Sequence, residues 1–310
     1  MKRYLITGGC GFIGSHISDA LLARGDQVRI LDDFSTGHRS NVSSECEIIE
    51  GCITDHPTVC RVMEGVDGCF HMAAVSSVQR SVEDWPGTHT INQSGTINLF
   101  DAARNHGRTP RIPVVYASSA AIYGNNPNTP LTEKAERLPL TAYGADKLGS
   151  ELHAHVAGTV HGVPTLGCRF FNVFGPRQDP NSPYSGVISI FLKRIQAGES
   201  ITIFGDGSQI RDFIHVSDVV RALLAAMERA TPEGGAVNVC TGNGISILEL
   251  AHTLFQVLGT TTEIVHGPPR TGDIHTSIGN PEGFSNRLGL QAKVSLSAGL
   301  EQTLTFLKSD

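Results

Sequence analysis

The stretch RYLITGGCGFIGSHISDALLARGDQVRILDD, residues 3–33, decides the fold. It opens with an apolar run ending in glycines, the pattern of a buried strand. Apolar residues 13, 17, 21 and 22 follow at helical spacing, and Gly25 stops the helix. QVRILDD is a second strand about one helix length later. Gly8, Gly11 and Gly14 stand three residues apart between the first strand and the helix. Such glycines permit a tight turn and let a helix N-terminus approach a pyrophosphate. Asp32 ends the second strand, placed to bond the adenosine ribose hydroxyls. A carboxylate there repels a 2′-phosphate and favours NAD over NADP, although Arg29, His38 and Arg39 are cations nearby.

The alternation continues outward from this stretch. ECEIIEG, a helix near 56–64, DGCFHMAA, a long helix near 86–107, RIPVVYASS, a helix over 142–161 and PTLGCRFFN follow in turn. Strands separated by helices imply right-handed crossovers, hence an α/β, Rossmann-type doubly wound parallel sheet. After Phe171 the texture changes, and GPRQDPNSPYSG (175–186) reads as a loop. DVVRALLAAMER (218–229) and GAVNVCTG (235–242) look like one more helix and strand of the main sheet. The expected division is a nucleotide-binding domain over 1–171 with a return segment 212–242. A smaller, discontinuous substrate domain takes 172–211 and 243–310.

Composition sets limits on function. The 310 residues carry 24 Lys and Arg against 30 Asp and Glu, a formal charge of −6, with no basic run. Neither nucleic acid nor a membrane surface is an expected partner, so an anionic substrate must be held by individual arginines. The seven cysteines form no CxxC and no cluster with histidine. Scattered thiols of this kind read as reduced, and a strand at residue 3 leaves no room for a signal peptide, so the expected compartment is the cytoplasm. His71, His153, His155 and His215 show no metal-like spacing, and no metal is expected.

TAYGADKLGSEL (141–152) carries the chemistry. Tyr143 and Lys147 are four residues apart, which puts phenol and ammonium on one helix face. A phenol titrates near 10 in water. A fixed ammonium nearby favours the phenolate, so the pair is expected to act as a base, with the tyrosine pKa lowered by Lys147 together with the positive nicotinamide of a bound NAD.

With TGGCGFIG at the front, SSAAIYG (118–124) and YGADK (143–147), the chain resembles the extended short-chain dehydrogenase/reductases, and within them the NAD-dependent nucleotide-sugar epimerases and dehydratases. The resemblance runs from residue 3 to about 290. It implies Ser119, Tyr143 and Lys147 as the catalytic group. Around an NAD cofactor it implies Gly8, Gly11, Phe12, Ile13, Gly14, Asp32, Asp33, Ser35, Ile53, Ala73 and Asn92, besides Tyr143 and Lys147. Where the family often has Gly-Asp-Ile, this chain has GCI with Cys52, which removes one adenine contact. Relatives that dehydrate or decarboxylate their sugar carry an acidic residue just after the catalytic serine. Here Ala120 and Ala121 stand there and can neither donate nor accept a proton.

The same resemblance implies a UDP-sugar clamp. RFFNVFGPRQDP supplies Asn172, ITIFGDGSQIRDFIHV supplies Phe204 and Arg211, and GPPRTGDI supplies Arg270 and Asp273. Two arginines suit a diphosphate, because a guanidinium gives charge-assisted, often bidentate bonds. Ser119 and Val187 complete the substrate set, with Ser277 where glucose/galactose-restricted relatives have a bulky tyrosine. A small residue there leaves room for a 2-acetamido group. The expected activity is therefore C4 epimerisation of UDP-Glc/UDP-Gal and UDP-GlcNAc/UDP-GalNAc. A UDP-glucuronate 4-epimerase, a one-way reductase or oxidase, and a non-catalytic NAD sensor are the alternatives. The resemblance also implies a homodimer formed through the helices near 86–107 and 142–161.

Overall fold

The computed structural model describes residues 1–104, 110–180, 186–269 and 274–309. In chain order the elements are β1 (Arg3–Thr7), α1 (Phe12–Ala23), β2 (Gln27–Asp32), β3 (Glu47–Glu50), α2 (His56–Met63), β4 (Gly68–His71), α3 (Val78–Glu83), α4 (Trp85–His89), α5 (Gly95–Ala103) and β5 (Val114–Ser119). Then come α6 (Ala142–His161), β6 (Thr165–Phe170), β7 (Asn172–Phe174), α7 (Val187–Gln196), β8 (Ile201–Phe204), β9 (Ile210–His215), α8 (Val216–Arg229) and β10 (Ala236–Val239). The chain finishes with β11 (Gly244–Ser246), α9 (Ile247–Leu258), β12 (Ile264–Gly267), β13 (Thr276–Ser277), α10 (Glu282–Leu288) and α11 (Leu296–Ser309).

Seven parallel strands form the larger sheet in the order β10-β6-β5-β4-β1-β2-β3. The order reverses between β4 and β1, which is where an open α/β sheet offers a crevice at its carboxyl edge. Parallel strands covered on both faces bury alternate residues in opposite layers. Accordingly Ile6 and Ile30 pack with Ile17, Val219 and Leu223 on one face. Leu5 and Leu31 pack with Val59, Leu99 and Ala154 on the other.

A second layer is built around β9, which spans residue 212 and pairs with β7, β11 and β13. β8 and β12 form a separate parallel pair beside it. Phe174, Phe191, Leu192, Leu250 and Leu300 form the core of this part. Helix α8 returns the chain to the larger sheet, where β10 lies beside β6.

The long helix expected near 86–107 starts at Trp85 and widens into one π turn over Thr90–Ser94 before α5. Such turns are frequent at functional sites. The turn places Asn92 so that its amide bonds the backbone of Val75 in both directions, at 2.8 and 3.0 Å.

Candidate active site

The glycine turn is built as its spacing requires. Gly8 has φ +66, and a Cβ on it would lie 2.7 Å from the Ala73 nitrogen, while one on Gly14 would overlap the Gly8 carbonyl oxygen. The turn therefore packs directly against the segment after β4. Gly11 caps α1, whose first turn has neither a side-chain cap nor an acidic residue. An uncapped helix end with the residues Phe12, Ile13 and Gly14 in its first turn suits a pyrophosphate.

Asp32 is buried at the end of β2. Its carboxylate accepts from the backbone N–H of Cys10 at 2.8 Å and of Phe34 at 2.9 Å. Burial is the largest influence on its pKa and moves it upward against those bonds. Asp33 is exposed and accepts from the Ser35 backbone and hydroxyl at 3.0 and 2.6 Å. Ile53 is buried, and its carbonyl accepts from Asn98 at 3.1 Å. Arg29 is turned away from this edge, bonded to Glu47 and to the carbonyls of Val62 and Glu64. It is not a cation available to a 2′-phosphate.

The catalytic candidates come together across the carboxyl edge of β5 and the first two turns of α6. Thr141 caps α6 through Gly144 N, fixing where the helix starts. Ser119 accepts from Ala121 N at 3.1 Å and lies beside Tyr143, close enough to pull the phenol pKa down. Lys147 is buried, donates to the Ala117 carbonyl at 2.8 Å, and lies 5.8 Å from the Tyr143 ring centre. Burial brings its pKa down to about 8, opposed by Asp146.

Among the chain's own groups, burial dominates at Tyr143. Burial pushes its pKa up, and only the Ser119 hydrogen bond pulls it down. The ammonium of Lys147 is committed to Ala117 and does not reverse the cost of burying a phenolate. A lowered tyrosine pKa therefore requires charge that this chain does not itself supply.

Beneath the lysine lies a network that sequence reading missed. His71 bonds Thr7 at 2.8 Å and Thr96 at 2.9 Å, and Thr96 donates to the Asn92 carbonyl at 2.5 Å. Burial and the nearby Lys147 bring the His71 pKa to about 3, so the ring is neutral. Only residues distant in sequence reveal it, because His71 and Thr96 face each other across the sheet and helix layers.

Around β8 and β9, Asn172, Val187, Phe204 and Arg211 line a cavity of about 390 Å³ together with Thr202 and Gln209. Ser119 lies opposite Phe170 in the β5–β6 ladder, so Asn172 enters this wall two residues beyond the catalytic edge. Ser277 is buried and pairs with Arg211 across β13 and β9. Gln209 was not anticipated. Its Nε2 donates to the Phe204 carbonyl at 2.6 Å, and its Oε1 is buried with no hydrogen-bond partner among the described residues. Arg270 and Asp273 lie outside the described residues. Among the described residues no group of His, Cys, Asp and Glu could hold a metal ion, and no helix is long and apolar enough to cross a membrane.

The model of the NAD dependent epimerase/dehydratase family matches residues 4–240. The chain is 36% identical over 315 residues to the UDP-glucose 4-epimerase of Mycolicibacterium smegmatis, covering 99% of both chains. It is similar to the UDP-N-acetylglucosamine 4-epimerase of Methanobrevibacter ruminantium in complex with UDP-N-acetylmuramic acid, with TM-score 0.93 and 34% identity over 99% and 98% of the two chains. It is also similar to the Thermus thermophilus UDP-glucose 4-epimerase in complex with NAD, with TM-score 0.91 and 34% identity over 99% of both.

Proposed function

The chain belongs to the NAD dependent epimerase/dehydratase family, and from that premise we propose that it interconverts UDP-hexoses with their C4 epimers. UDP-Glc/UDP-Gal and UDP-GlcNAc/UDP-GalNAc are the proposed pairs. The observation that carries this reading is Lys147 at 5.8 Å from the Tyr143 ring with Ser119 beside the phenol, and Ala120 and Ala121 next to it. Among the described residues Tyr143 is the proton acceptor for a hydroxyl, and Ala120 and Ala121 place no acid directly after Ser119 to drive an elimination.

NAD is the proposed cofactor, and when bound it takes a hydride from the sugar carbon and returns one. Residues Phe12, Ile13 and Gly14 at the open end of α1 would hold its pyrophosphate, and Asp32 with Asp33 and Ser35 would lie at the adenosine ribose. The segment around Ile53, Ala73 and Asn92 would border the rest, and Lys147 would reach the nicotinamide ribose. Beside Tyr143, whose pKa burial raises, a bound nicotinamide would add positive charge that favours the phenolate.

Tyr143, as phenolate, accepts the proton of the sugar 4-hydroxyl, and Ser119 donates a hydrogen bond to the same oxygen. The resulting 4-keto sugar turns about its phosphate link and presents its other face. Tyr143 then returns the proton to the alkoxide oxygen. This requires a nucleotide gripped firmly and a hexose gripped lightly. Arg211 and Arg270 are proposed for the diphosphate, Asp273 for the uridine ribose, and Phe204 for the uracil ring. The unpartnered Gln209 Oε1 would accept from the uracil N–H, since a buried acceptor without a donor is costly. Small Ser277 leaves space beside Arg211 for a 2-acetamido group.

A homodimer is part of this reading. Leu152, Val156 and Val160 recur every four residues along α6 and are 45–67% exposed, with Ile97 of α5 also exposed. Contiguous apolar exposure marks interaction surfaces. Light scattering should give twice the chain mass, and Val156→Asp should halve it.

Separate incubation with UDP-Glc, UDP-GlcNAc and UDP-GlcA tests the activity. Epimers of the first two, formed without added cofactor, are expected. Release of a keto product or conversion of UDP-GlcA alone would replace the proposal with a one-way oxidoreductase or a uronate epimerase.

A further inference from the structure

Three residues of α6 spaced by four, Tyr143, Lys147 and Glu151, face three successive residues of β5. Tyr143 meets Ser119. Lys147 donates to the Ala117 carbonyl at 2.8 Å, and Glu151 accepts from the Ser118 hydroxyl at 2.6 Å. The first two rungs hold the proposed reacting groups, whereas the third has its own anchor. Arg169 of β6 meets both carboxylate oxygens of Glu151, Nε at 2.8 Å and Nη2 at 2.7 Å. Its remaining nitrogen donates to the Tyr123 hydroxyl at 2.7 Å and the Glu133 carbonyl at 3.0 Å. Tyr123 in turn donates to Asn238 of β10 at 2.7 Å. Arg137 stands 3.8 Å from the same carboxylate, on the outer side.

Glu151 and Arg169 are 9% and 3% exposed, deep enough that neither charge is satisfied by water. An ion pair in such a place is weak evidence for stability, since apolar residues of similar volume often serve as well. A two-point fork does fix geometry, because both N–H···O bonds hold only at one rotation and one height of the helix. Rotating or sliding α6 by one ångström would disturb all three rungs together. Glu151 is also one turn from Lys147 on the same helix face, where an unpaired carboxylate would draw the ammonium toward itself.

We propose that the Glu151–Arg169 pair is a positioning device for the reaction. It sets the register of α6 against β5 so that the Tyr143 phenol meets Ser119, and it occupies the carboxylate that would otherwise compete for Lys147. Neither residue touches the substrate or the cofactor. The proposal rests on Tyr143 being the base of the reaction.

Two variants test it with UDP-Glc. Arg169→Lys keeps the charge and loses the fork. Glu151→Gln/Arg169→Met removes both charges together, so no lone ion is left buried. In each, kcat per folded molecule is expected to fall by about 10- to 100-fold, the scale of a misplacement near one ångström. The KM for UDP-Glc should stay within about twofold, because the nucleotide-binding residues lie on other elements. A purely structural role would lower the melting temperature and leave kcat alone. Wild-type kcat in either folded variant, or a loss carried by KM, would overturn the proposal. Tyr143→Phe run alongside keeps the two readings apart: if it stays active, the tyrosine assignment itself is at fault.

Discussion

The wall formed by β5 and α6 buries Lys147, Glu151 and Ser118 in hydrogen bonds to protein and leaves Ser119 and Tyr143 partly buried, whereas the wall formed around β9 leaves Asn172 exposed, with Phe204 and Arg211 partly buried. The first wall is held by a ladder between helix and strand. The second has an acceptor, Gln209 Oε1, with no partner among the described residues. This difference matches two tasks. Proton transfer needs distances fixed to a fraction of an ångström, while a nucleotide can be gripped by a few strong charge-assisted bonds. On the proposed reading, a hexose would have one face in fixed chemistry and freedom about its phosphate link.

The largest effect should come from the fixed wall. Tyr143→Phe is expected to lower kcat on the order of 10²- to 10⁴-fold, the usual contribution of a general base, with UDP binding measured by calorimetry unchanged. Weakened UDP binding would mean that the two walls do not divide the work. On the other wall, Arg211→Ala should raise KM for UDP-Glc by about 10- to 100-fold with kcat nearly intact, the scale of one lost charge-assisted bond. A drop in kcat instead would put Arg211 with the reacting groups.

Ser277→Tyr should shift the ratio of kcat/KM between UDP-Glc and UDP-GlcNAc by about tenfold toward UDP-Glc, as expected when one pocket contact is changed. An unchanged ratio removes Ser277 from specificity.

The smallest effect needs no mutation. The Lys147 pKa of about 8 lies below the usual lysine range, so the ammonium is lost as pH rises through about 8. Activity should therefore fall toward alkaline pH, to about half its plateau near pH 8. Stability should move the other way. Between about pH 8 and the usual lysine pKa the unfolded chain binds a proton that the folded chain releases, so folding gains with pH across that window. Urea melts of wild type and Lys147→Met at pH 8 and 10 would reveal it as a rise present only in the wild type.

Much of the site was legible because its signals are local. Glycines three apart between strand and helix specify a turn whatever lies around them, and residues four apart on a helix share a face. Phe204 and Arg211 were also legible, each within a short motif, and the structure brings them to one cavity with Asn172 and Val187. His71 with Thr7 and Thr96, Gln209 and Arg169 were not legible. Each is an unremarkable residue in its own stretch and gains meaning only from a partner reached through the fold.

The sequence by itself determined that strands and helices alternate, that a nucleotide turn opens the chain, and that a phenol and an ammonium point the same way. These follow from spacing along one element. Tertiary structure alone decided that Ser119 reaches Tyr143, that Ser277 lies beside Arg211, and that a fork from β6 holds α6 in place. It also set the direction of the Tyr143 pKa. Desolvation sums over every atom packed around the ring, and those atoms come from parts of the chain that only the order of the strands brings together.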